Sequence, residues 1–334
     1  MASAKRGYEQ INQALKLINY SSKNIKYKNY QEDFLVNILR IERLSDNVVE
    51  IFVKSKLLAN QTGVGQIFRL HNYHALALES KGQTLAMEGV VVTALAIDKS
   101  EGIISGIVVE TGGSSSLIKN FRVGEPCVFM GPSGKPTEIP QNETVVLIGG
   151  GRGNQPLTAL AEAFKANGCK VLFFAGYRDE NYIVRRERMQ KCCDELIISV
   201  ENELPSSGYF QGNVIDSIKN YFAKNKIKID RVFAIGNDNL MHNVARLRHE
   251  NIVEEFAQAK YSITSLNAPM QCMMKGVCGQ CLQKKKNIDG KIEYFYSCAN
   301  QDQSMDEVDF EHLHARCEQN SLLEKTTKFW LKTL

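Results

Sequence analysis

Residues 144–168 read TVVLIGGGRGNQPLTALAEAFKANG, and the fold prediction starts from this stretch. An apolar run that ends in three consecutive glycines is typical of a buried strand followed by a tight turn. A helical pattern follows, with Asn154 as the expected N-cap, Pro156 in the first turn and Gly168 as the stop signal. A strand, a glycine turn and a helix in this order predict one unit of a parallel α/β sheet.

The same alternation continues toward the C-terminus. Apolar strand patterns and helical patterns follow one another as CKVLFFAGY, YIVRRERMQKCC, ELIISV, GNVIDSIKNYFAKN, RVFAIG and LMHNVARLRHENI. Strands that alternate with helices predict a parallel sheet covered by helices on both faces. We therefore predict an α/β domain over residues 141–264.

The glycine turn is a candidate dinucleotide site. Gly149 and Gly151 match the first two glycines of the G-x-G-x-x-G pattern, and Asn154 stands at the third position. Glycines let the backbone approach a pyrophosphate closely, and the start of the helix supplies N–H donors and a partial positive charge. We expect a nucleotide to contact Gly149, Gly150, Gly151, Gly153 and Asn154.

The segment GYRDEN after the second strand concerns the choice of nucleotide. Arg178 would suit an adenosine 2′-phosphate and so favours NADP, whereas Asp179 would suit a ribose diol and so favours NAD. A plain solvated charge is the alternative for each residue. The sequence leaves the preference between the two nucleotides open.

Upstream of this domain the hydrophobic pattern changes. Residues 34–140 contain short segments rich in Val and Ile that Gly, Asn, Asp and Ser turns separate. Strands at this spacing, with no strong helix between most of them, predict an antiparallel barrel or sandwich. Residues 1–33 are polar and basic, and we expect a linker or a surface helix there.

The segment TGGSSSLIKNF, residues 111–121, interrupts these strands. Gly112 and Gly113 let a backbone approach closely, and Ser114 is a suitable N-cap for a short helix. The start of such a helix can hold a phosphate. A capped turn without a ligand is the alternative interpretation.

The segment MQCMMKGVCGQC, residues 270–281, has three closely spaced cysteines, and Cys298 follows as a fourth. The spacing C-x5-C-x2-C-x16-C differs by one residue from the start of the plant-type [2Fe–2S] pattern, C-x4-C-x2-C. A zinc ribbon would usually have two C-x-x-C pairs. We predict that a [2Fe–2S] cluster, or alternatively zinc, is bound by Cys272, Cys278, Cys281 and Cys298.

Composition sets limits on the compartment and on the function. No apolar run approaches the ~20 residues of a membrane span, and the N-terminus has no secretory pattern, so we expect a cytoplasmic protein. In a reducing compartment clustered cysteines are more often metal ligands than disulfides. A net charge of +4 is too small to indicate nucleic-acid binding. The adjacent Cys192 and Cys193 are expected to diverge on a helix and not to reach one site together.

A barrel, a glycine-turn α/β domain and a four-cysteine loop, in this order, resemble the ferredoxin–NADP reductase superfamily. The iron–sulfur flavoproteins of that superfamily are the nearer branch. They include the electron-transfer subunit of dihydroorotate dehydrogenase and the small subunit of NADH-dependent ferredoxin:NADP oxidoreductase. The chain also resembles the C-terminal module of long bacterial pyridine nucleotide-disulfide oxidoreductases. The segments that carry the resemblance are VGQIFRL, FMGPSGKPTEI, VVLIGGGRGNQPL, AIGNDNLMHNV, SLNAPMQCMMKGVCGQC and FYSCANQD.

The resemblance implies an antiparallel flavin-binding β-barrel, a parallel-sheet nucleotide-binding domain and a small four-cysteine cluster subdomain. The last would span residues 265–315, with a C-terminal helix at 316–334. Gly236 and Met241 match a family segment near the nicotinamide. The residues that the resemblance places at the flavin are Arg69, Tyr73, Val92, Thr93, Gly112, Gly113, Ser114 and Ser115.

Three departures from the family pattern concern these sites. The stretch MEGVVVTAL keeps Thr93 but has Gly89 near the position of the family's flavin-binding arginine. Cys272 stands where the bifurcating subunit has an aspartate. Met273, Met274 and Lys275 stand in a loop that is glycine-rich in relatives.

The resemblance implies electron transfer between NAD(P)H, FAD and a [2Fe–2S] cluster. It also implies a partner, namely a glutamate-synthase-small-subunit-like flavoprotein domain or subunit, or a ferredoxin. We expect no catalytic acid–base residues, because the cofactors would supply the chemistry. One alternative is a flavin-free docking or regulatory module with a structural zinc site. The other is the electron-transfer subunit of a dihydroorotate dehydrogenase.

Overall fold

The computed structural model describes residues 35–110, 112–202, 208–266, 278–287, 289–318 and 321–333. The predicted linker over residues 1–33 and the predicted ligand Cys272 lie outside the described residues. No helix in these described ranges is both long and apolar enough to cross a membrane.

The N-terminal part of the described chain is built from short strands. Seven of them form one sheet in the order β6-β3-β9-β1-β2-β8-β7, and every paired neighbour is antiparallel. The strands are β1 (Val36–Ser45), β2 (Val48–Lys54), β3 (Ile67–Asn72), β4 (Glu79–Ser80), β5 (Gln83–Thr84), β6 (Val90–Thr93), β7 (Ala96–Asp98), β8 (Ile103–Val109) and β9 (Pro126–Ser133). β4 and β5 form a separate hairpin.

The sheet closes into a barrel through a short piece of chain. β6 and β7 lie at opposite ends of the strand order, yet only Ala94 and Leu95 separate them. Ala94 N donates to Gln66 O at 3.1 Å beside β3, and Leu95 N donates to Ser105 O of β8 at 2.8 Å. One continuous segment thus bonds to both ends of the sheet, which confirms the predicted antiparallel barrel.

Two short helices connect strands of the barrel, α1 (Lys56–Gln61) between β2 and β3 and α2 (Gly113–Ser116) between β8 and β9. α2 continues as a 3₁₀ turn to Asn120. The predicted N-cap of α2 is wrong. Gly112 occupies the cap position, and Ser115 Oγ accepts a hydrogen bond from Gly112 N at 2.8 Å. Ser114 instead accepts a hydrogen bond from Glu88 N at 3.0 Å. Its hydroxyl therefore ties α2 to the segment before β6.

The α/β domain contains a second sheet in the order β13-β12-β11-β10-β14-β15-β18, in which only β18 runs antiparallel to its neighbour. Its strands are β10 (Thr144–Gly150), β11 (Lys170–Tyr177), β12 (Glu195–Val200), β13 (Phe210–Gln211), β14 (Arg231–Ile235), β15 (Tyr261–Ser265) and β18 (Asp302–Ser304). Its helices are α3 (Asn154–Ala166), α4 (Arg186–Lys191), α5 (Val214–Phe222), α6 (Asp238–His249) and α7 (Glu254–Gln258).

Both faces of this sheet are covered, as predicted. Val145 and Leu147 belong to one apolar cluster, whereas Val146 and Ile148 belong to the cluster on the other face. All four side chains have no exposed surface. A strand buried on both faces explains why its sequence is continuously apolar and does not alternate.

Two predicted details of this domain are wrong. Gly153, not Asn154, is the N-cap of α3, and the Asn154 side chain donates to Gly176 O at 3.0 Å. α4 spans only residues 186–191, much less than the helical pattern of residues 182–193. Arg185 precedes it with a left-handed backbone, φ +57°, so the chain enters the helix only at this residue.

The C-terminal part comprises the hairpin of β16 (Leu282–Lys286) and β17 (Ile292–Tyr296), then α8 (Phe310–Glu318) and α9 (Ser321–Leu331). β18 follows the hairpin and pairs with β15, so this region adds the edge strand of the α/β sheet. α8 contacts α6, whereas α9 crosses to the barrel and contacts α2.

An ion network joins the barrel to the α/β domain. Arg185 donates to Glu50 Oε2 at 2.7 Å and also contacts Glu42. Glu50 is 2% exposed, and its other oxygen accepts from Ser105 Oγ at 2.8 Å. A buried carboxylate with a hydrogen-bonded cation stabilises the contact between the two domains, because separation would leave its charge unpaired.

Candidate functional site

Cys281 and Cys298 meet at the base of the β16–β17 hairpin. Cys281 precedes β16 directly, Cys298 follows β17, and the strand register sets Leu282 opposite Tyr296. The two Sγ atoms lie 3.2 Å apart, and both side chains are at most 2% exposed. Two buried thiols at this distance are suited to serve one metal centre.

The other two predicted ligands are placed differently. Cys278 is described and exposed, three residues before Cys281. Cys272 lies outside the described residues. Over the described part of the chain, no three His, Cys, Asp or Glu side chains group as a metal site. The structure therefore brings together the distant ligand and one loop ligand of the predicted set.

The cysteine pair is docked on the barrel. Ser133 Oγ and Gly134 N both donate to Cys298 O, at 2.7 and 2.8 Å. The thiol side chains pack against Ile67 of β3 and Val91 of β6. The candidate cluster thus lies against the two strands that the resemblance assigns to the flavin.

A buried carboxyl lies four residues beyond Cys298, and the sequence did not suggest a role for it. Asp302 Oδ2 accepts a hydrogen bond from Thr137 Oγ1 at 2.6 Å, while its buried Oδ1 has no partner among the described residues. Burial raises the pKa of Asp302 to about 6. Thr137 belongs to the segment between barrel and α/β domain, so this contact joins all three parts of the chain.

Arg69 on β3 occupies the space beside Gly89. A Cβ built on Gly89 would lie 1.8 Å from Arg69 Nε. Arg69 Nε is buried and has no hydrogen-bond partner in the described part of the chain. A glycine thus stands near the family's arginine position, and a guanidinium from the neighbouring strand fills the volume of its missing side chain. An orphaned buried donor fits a site built for an acceptor-rich ligand.

The remaining predicted flavin residues of the strands differ in exposure. Val92 is 3% exposed and points into the barrel core, so its side chain does not face a ligand. Thr93 is half-buried, and its neighbour in the ladder is Ile67. Tyr73 is 37% exposed just before a short 3₁₀ turn.

The glycine–serine turn, Gly112–Ser115, lies beneath α9. A Cβ built on Gly113 would lie 1.9 Å from Thr327 Cγ2. Gly113 and Ser115 are buried, whereas Gly112 and Ser114 are half-buried. The turn therefore contacts another part of the protein at the position where the resemblance places a pyrophosphate.

The nucleotide turn, Gly149–Asn154, is more open. Gly151 has φ +52°, and no described atom comes within 4 Å of a Cβ built on it. Gly153 packs so tightly on β14 that a Cβ would lie 2.1 Å from Ile235 O. Asn154 has no exposed surface, so it supports the turn from the buried side and cannot touch a nucleotide. Gly149 packs on the Asn154 side chain.

Leu240 is a site residue that the sequence analysis missed. A Cβ on Gly150 or on Gly236 would meet Leu240 Cδ2, at 2.6 and 2.3 Å. Met241, the predicted neighbour of the nicotinamide, is 3% exposed and packs in the core. Helix geometry could have indicated Leu240, because consecutive residues of α6 point in different directions and Leu240 and Met241 cannot both face the turn.

The two residues proposed to select the nucleotide follow β11 at the edge of the sheet. Arg178 is exposed, and Asp179 caps a 3₁₀ turn by accepting a hydrogen bond from Asn181 N at 2.8 Å. The Asp179 carboxylate is thus engaged locally, whereas the Arg178 guanidinium is open to solvent.

The prediction that Cys192 and Cys193 diverge is wrong. Both thiols donate to Met189 O at 3.1 Å, because α4 ends at Lys191 and the backbone turns there. A side-chain hydrogen bond with the Cys192 thiol lowers the pKa of Cys193.

No family model matches the chain. The structure of an NADH-dependent reduced ferredoxin–NADP oxidoreductase superposes with a TM-score of 0.72 at 20% identity, over 89% of this chain and 98% of that chain. The cytochrome b5 reductase domain of Ulva prolifera nitrate reductase superposes with a TM-score of 0.54 at 14% identity, over 69% and 96%.

Sequence relatives agree with this architecture. The dihydroorotate dehydrogenase B (NAD(+)) electron transfer subunit homolog of Thermotoga maritima is 25% identical over 304 residues, 90% of this chain and 96% of that protein. The chain has the fold of ferredoxin–NADP reductase-like proteins. Uncharacterized protein RP006 of Rickettsia prowazekii is 33% identical over 329 residues, 97% of this chain but 38% of that protein. The chain therefore spans well under half of the length of RP006.

Proposed function

We propose that this ferredoxin–NADP reductase-like protein is an electron-transfer oxidoreductase that links NAD(P)H, FAD and a [2Fe–2S] cluster to a partner protein. One observation carries the proposal. The buried Cys281–Cys298 pair packs on Ile67 and Val91, in the strands that also hold Arg69. A cluster on these cysteines and a flavin on these strands would be neighbours, as electron transfer requires.

The cysteine loop suits a cluster. Gly279 has φ +70° between Cys278 and Cys281, and glycine there lets the loop turn sharply between two ligands. Cys298 O is held by two hydrogen bonds from the barrel, so the distant ligand is fixed in place. The cysteine spacing is one residue from the plant-type [2Fe–2S] pattern and lacks the two C-x-x-C pairs of a zinc ribbon, and we therefore favour iron–sulfur over zinc.

The flavin site is proposed along β3 and β6, with the FAD pyrophosphate at the glycine–serine turn Gly112–Ser115. Arg69 would contribute its buried and unpartnered Nε toward the flavin, and Gly89 leaves room for that guanidinium. When bound, FAD would accept an electron pair from NAD(P)H and release single electrons, which a one-electron cluster can carry. The residues of the chain bind and orient the cofactors and supply no acid–base group.

The nucleotide site is proposed at the open turn of the α/β domain. Gly151 would approach the pyrophosphate, and the start of α3 would supply N–H donors. Leu240 covers Gly150 and Gly236, so it would contact the nicotinamide half. The exposed Arg178 favours NADP, because its guanidinium would bind the 2′-phosphate of that nucleotide.

The partner is proposed to be a flavoprotein domain or subunit, or a ferredoxin. The match covers only 38% of RP006, so that relative carries this module within a longer polypeptide, an arrangement that would suit a fused partner domain. A glutamate-synthase-small-subunit-like flavoprotein is the specific partner that we propose.

A second candidate is the electron-transfer subunit of a dihydroorotate dehydrogenase. The named relatives favour it, since subunits from Fusobacterium nucleatum and Thermotoga maritima are 24% and 25% identical to this chain. This candidate predicts that a dihydroorotate dehydrogenase catalytic subunit forms a stable complex with the chain. Reduction by dihydroorotate in that complex would select it over the first proposal.

Metal and flavin analysis of anaerobically purified protein tests the proposal. We expect about two irons per chain, a bound flavin and the visible absorbance of a [2Fe–2S] cluster. About one zinc per chain without colour would contradict the redox function and select the docking module.

Cysteine variants locate the cluster. Cys278→Ser and Cys281→Ser should each abolish the cluster absorbance and leave the barrel folded, as circular dichroism would show. Cys317→Ser is the matched control, because Cys317 is a half-buried C-terminal cysteine that lies on α8 outside the proposed set. Full cluster absorbance in Cys281→Ser would show that the proposed ligand set is wrong.

A further inference from the structure

The last helix of the chain lies on the glycine–serine turn. α9 contacts α2 directly, and Thr327 Cγ2 occupies the place where any side chain at Gly113 would lie. The helix therefore touches the backbone of the turn itself. Such close approach needs glycine at this position.

Further contacts hold the C-terminal end of α9 on the barrel. The Trp330 indole N–H donates to Gln83 Oε1 in the β4–β5 hairpin, and Lys81 Nζ donates to Thr333 O at 2.7 Å. Trp330 and Leu331 also pack against the apolar core of the barrel. The hairpin thus acts as a second attachment point for the helix.

The polar groups of the turn are engaged within the protein. Ser115 Oγ accepts from Gly112 N at 2.8 Å, and Ser116 Oγ donates to Gly112 O at 2.6 Å. Ser114 Oγ accepts from Glu88 N at 3.0 Å. Three serines therefore stabilise the turn in a form that does not depend on a phosphate.

Among residues 325–331 of α9, whose side chains the structure describes, one side of the helix faces the turn and the barrel. Phe329, between the turn-facing and barrel-facing residues, is 72% exposed, and Lys325 and Lys328 are exposed. A helix attached along one edge can leave at lower free-energy cost than a helix enclosed by the core.

We propose that α9 is an intrachain lid, whose docking on Gly113 and binding of a flavin pyrophosphate at the same turn exclude one another. The inference rests on the proposed function, which assigns this turn to FAD. In the docked form the helix covers the turn, and in the released form the turn is free to receive the pyrophosphate. The lid would therefore weaken FAD binding, because FAD must displace the helix to reach the turn.

The lid has a quantitative consequence for affinity. When only a fraction of molecules has the helix released, the apparent Kd for FAD equals the intrinsic Kd divided by that fraction. Loosening the helix should therefore tighten FAD binding without any change in the turn.

Trp330 provides a direct readout, because it is the only tryptophan of the chain. Its emission maximum and its quenching by acrylamide report on whether the indole is docked on the barrel. Adding FAD to the full-length apoprotein should shift the emission to the red and raise the acrylamide quenching constant. Energy transfer to the flavin alters the intensity but not the wavelength.

Two variants separate release of the helix from other effects. Leu331→Ser removes an apolar contact with the barrel and should tighten FAD binding about tenfold, with red-shifted Trp330 emission before FAD is added. Phe329→Ala is the matched control, since its side chain is exposed on the same helix, and both readouts should equal those of the wild type.

The outcomes distinguish this inference from the proposed function. If the wild type and Leu331→Ser bind FAD with equal affinity in equilibrium dialysis and Trp330 emission stays unchanged, the lid is wrong and flavin binding stands. If neither protein binds FAD, the proposed flavin site is wrong, and the lid fails with it.

Discussion

Two turns of this chain have similar sequences and opposite surroundings. Gly149–Asn154 and Gly112–Ser115 both place glycines between a strand and a helix. In the first turn no described atom lies within 4 Å of a Cβ built on Gly151. In the second turn a Cβ on Gly113 would lie 1.9 Å from Thr327 of the C-terminal helix.

The difference shows what a glycine-rich turn does and does not reveal. It indicates that the backbone approaches something closely, but it does not indicate whether that is a ligand or another part of the protein. The open turn has its tight contact on the buried side, where Gly153 meets Ile235 O of β14. The covered turn has its tight contact on the side expected to face the cofactor.

Substitution of Gly153 in the nucleotide turn should lower the stability of the protein more than any other change predicted here. In Gly153→Ala the new Cβ would meet a backbone carbonyl of a central strand at 2.1 Å, and that atom cannot move without shifting the sheet. We expect the free energy of unfolding in urea to fall by about 4 kcal/mol.

Gly151→Ala is the control within the same turn. Its Cβ meets open space, so only the left-handed backbone, φ +52°, is strained, and a loss of about 1 kcal/mol is expected. Equal losses in the two variants would show that close packing on β14 does not distinguish the two positions.

The third prediction concerns Asp302, which joins β18 to the segment between the barrel and the α/β domain through its hydrogen bond with Thr137. Its pKa is raised to about 6 by burial, above the ordinary value of 3.8, so the folded state binds the proton more tightly than the unfolded state. Stability from this group is therefore greatest below about pH 4 and falls as the pH rises to about 6, by about 3 kcal/mol in total.

Asp302→Asn should remove this pH dependence, since an amide oxygen can still accept the hydrogen bond from Thr137. Urea unfolding of both proteins between pH 4 and pH 7 measures the effect. We expect the variant to gain relative to the wild type as the pH rises. Parallel curves for the two proteins would mean that Asp302 titrates normally in the folded state.

Gly113→Ala should have the smallest effect on stability. Its loss in the free energy of unfolding is to be compared with that of Gly153→Ala. Its Cβ would meet the methyl group of Thr327, which belongs to a helix attached along one edge. The helix can yield, so we expect a loss of less than about 1 kcal/mol together with red-shifted Trp330 emission. A loss as large as that of Gly153→Ala would show that α9 is a fixed part of the barrel.

Much of the fold followed from local patterns. The predicted strand ELIISV has the bounds of β12, and the stop at Gly168, which has φ +79°, follows the end of α3 by two residues. These features depend on periodicity and on backbone strain, which neighbouring residues determine. The barrel was predictable for the same reason, although its closure through Ala94 and Leu95 was not.

The site was less predictable, because it depends on contacts between distant residues. The sequence around Gly113 does not indicate that Thr327 covers it, and the sequence around Gly89 does not indicate that Arg69 fills the space beside it. Asn154 matched a glycine position by spacing but is buried under the turn. The cysteine spacing was informative because both ends of the β16–β17 hairpin carry a ligand candidate.

The most direct test of the electron-transfer function is an anaerobic titration of the full chain with NADH and with NADPH. Visible absorbance would follow the flavin, and electron paramagnetic resonance would follow the cluster. We predict that one nucleotide bleaches the flavin band and that the signal of a reduced [2Fe–2S] cluster then appears. Bleaching of the flavin with no cluster signal, or the absence of any bleaching with either nucleotide, would contradict the proposed electron path.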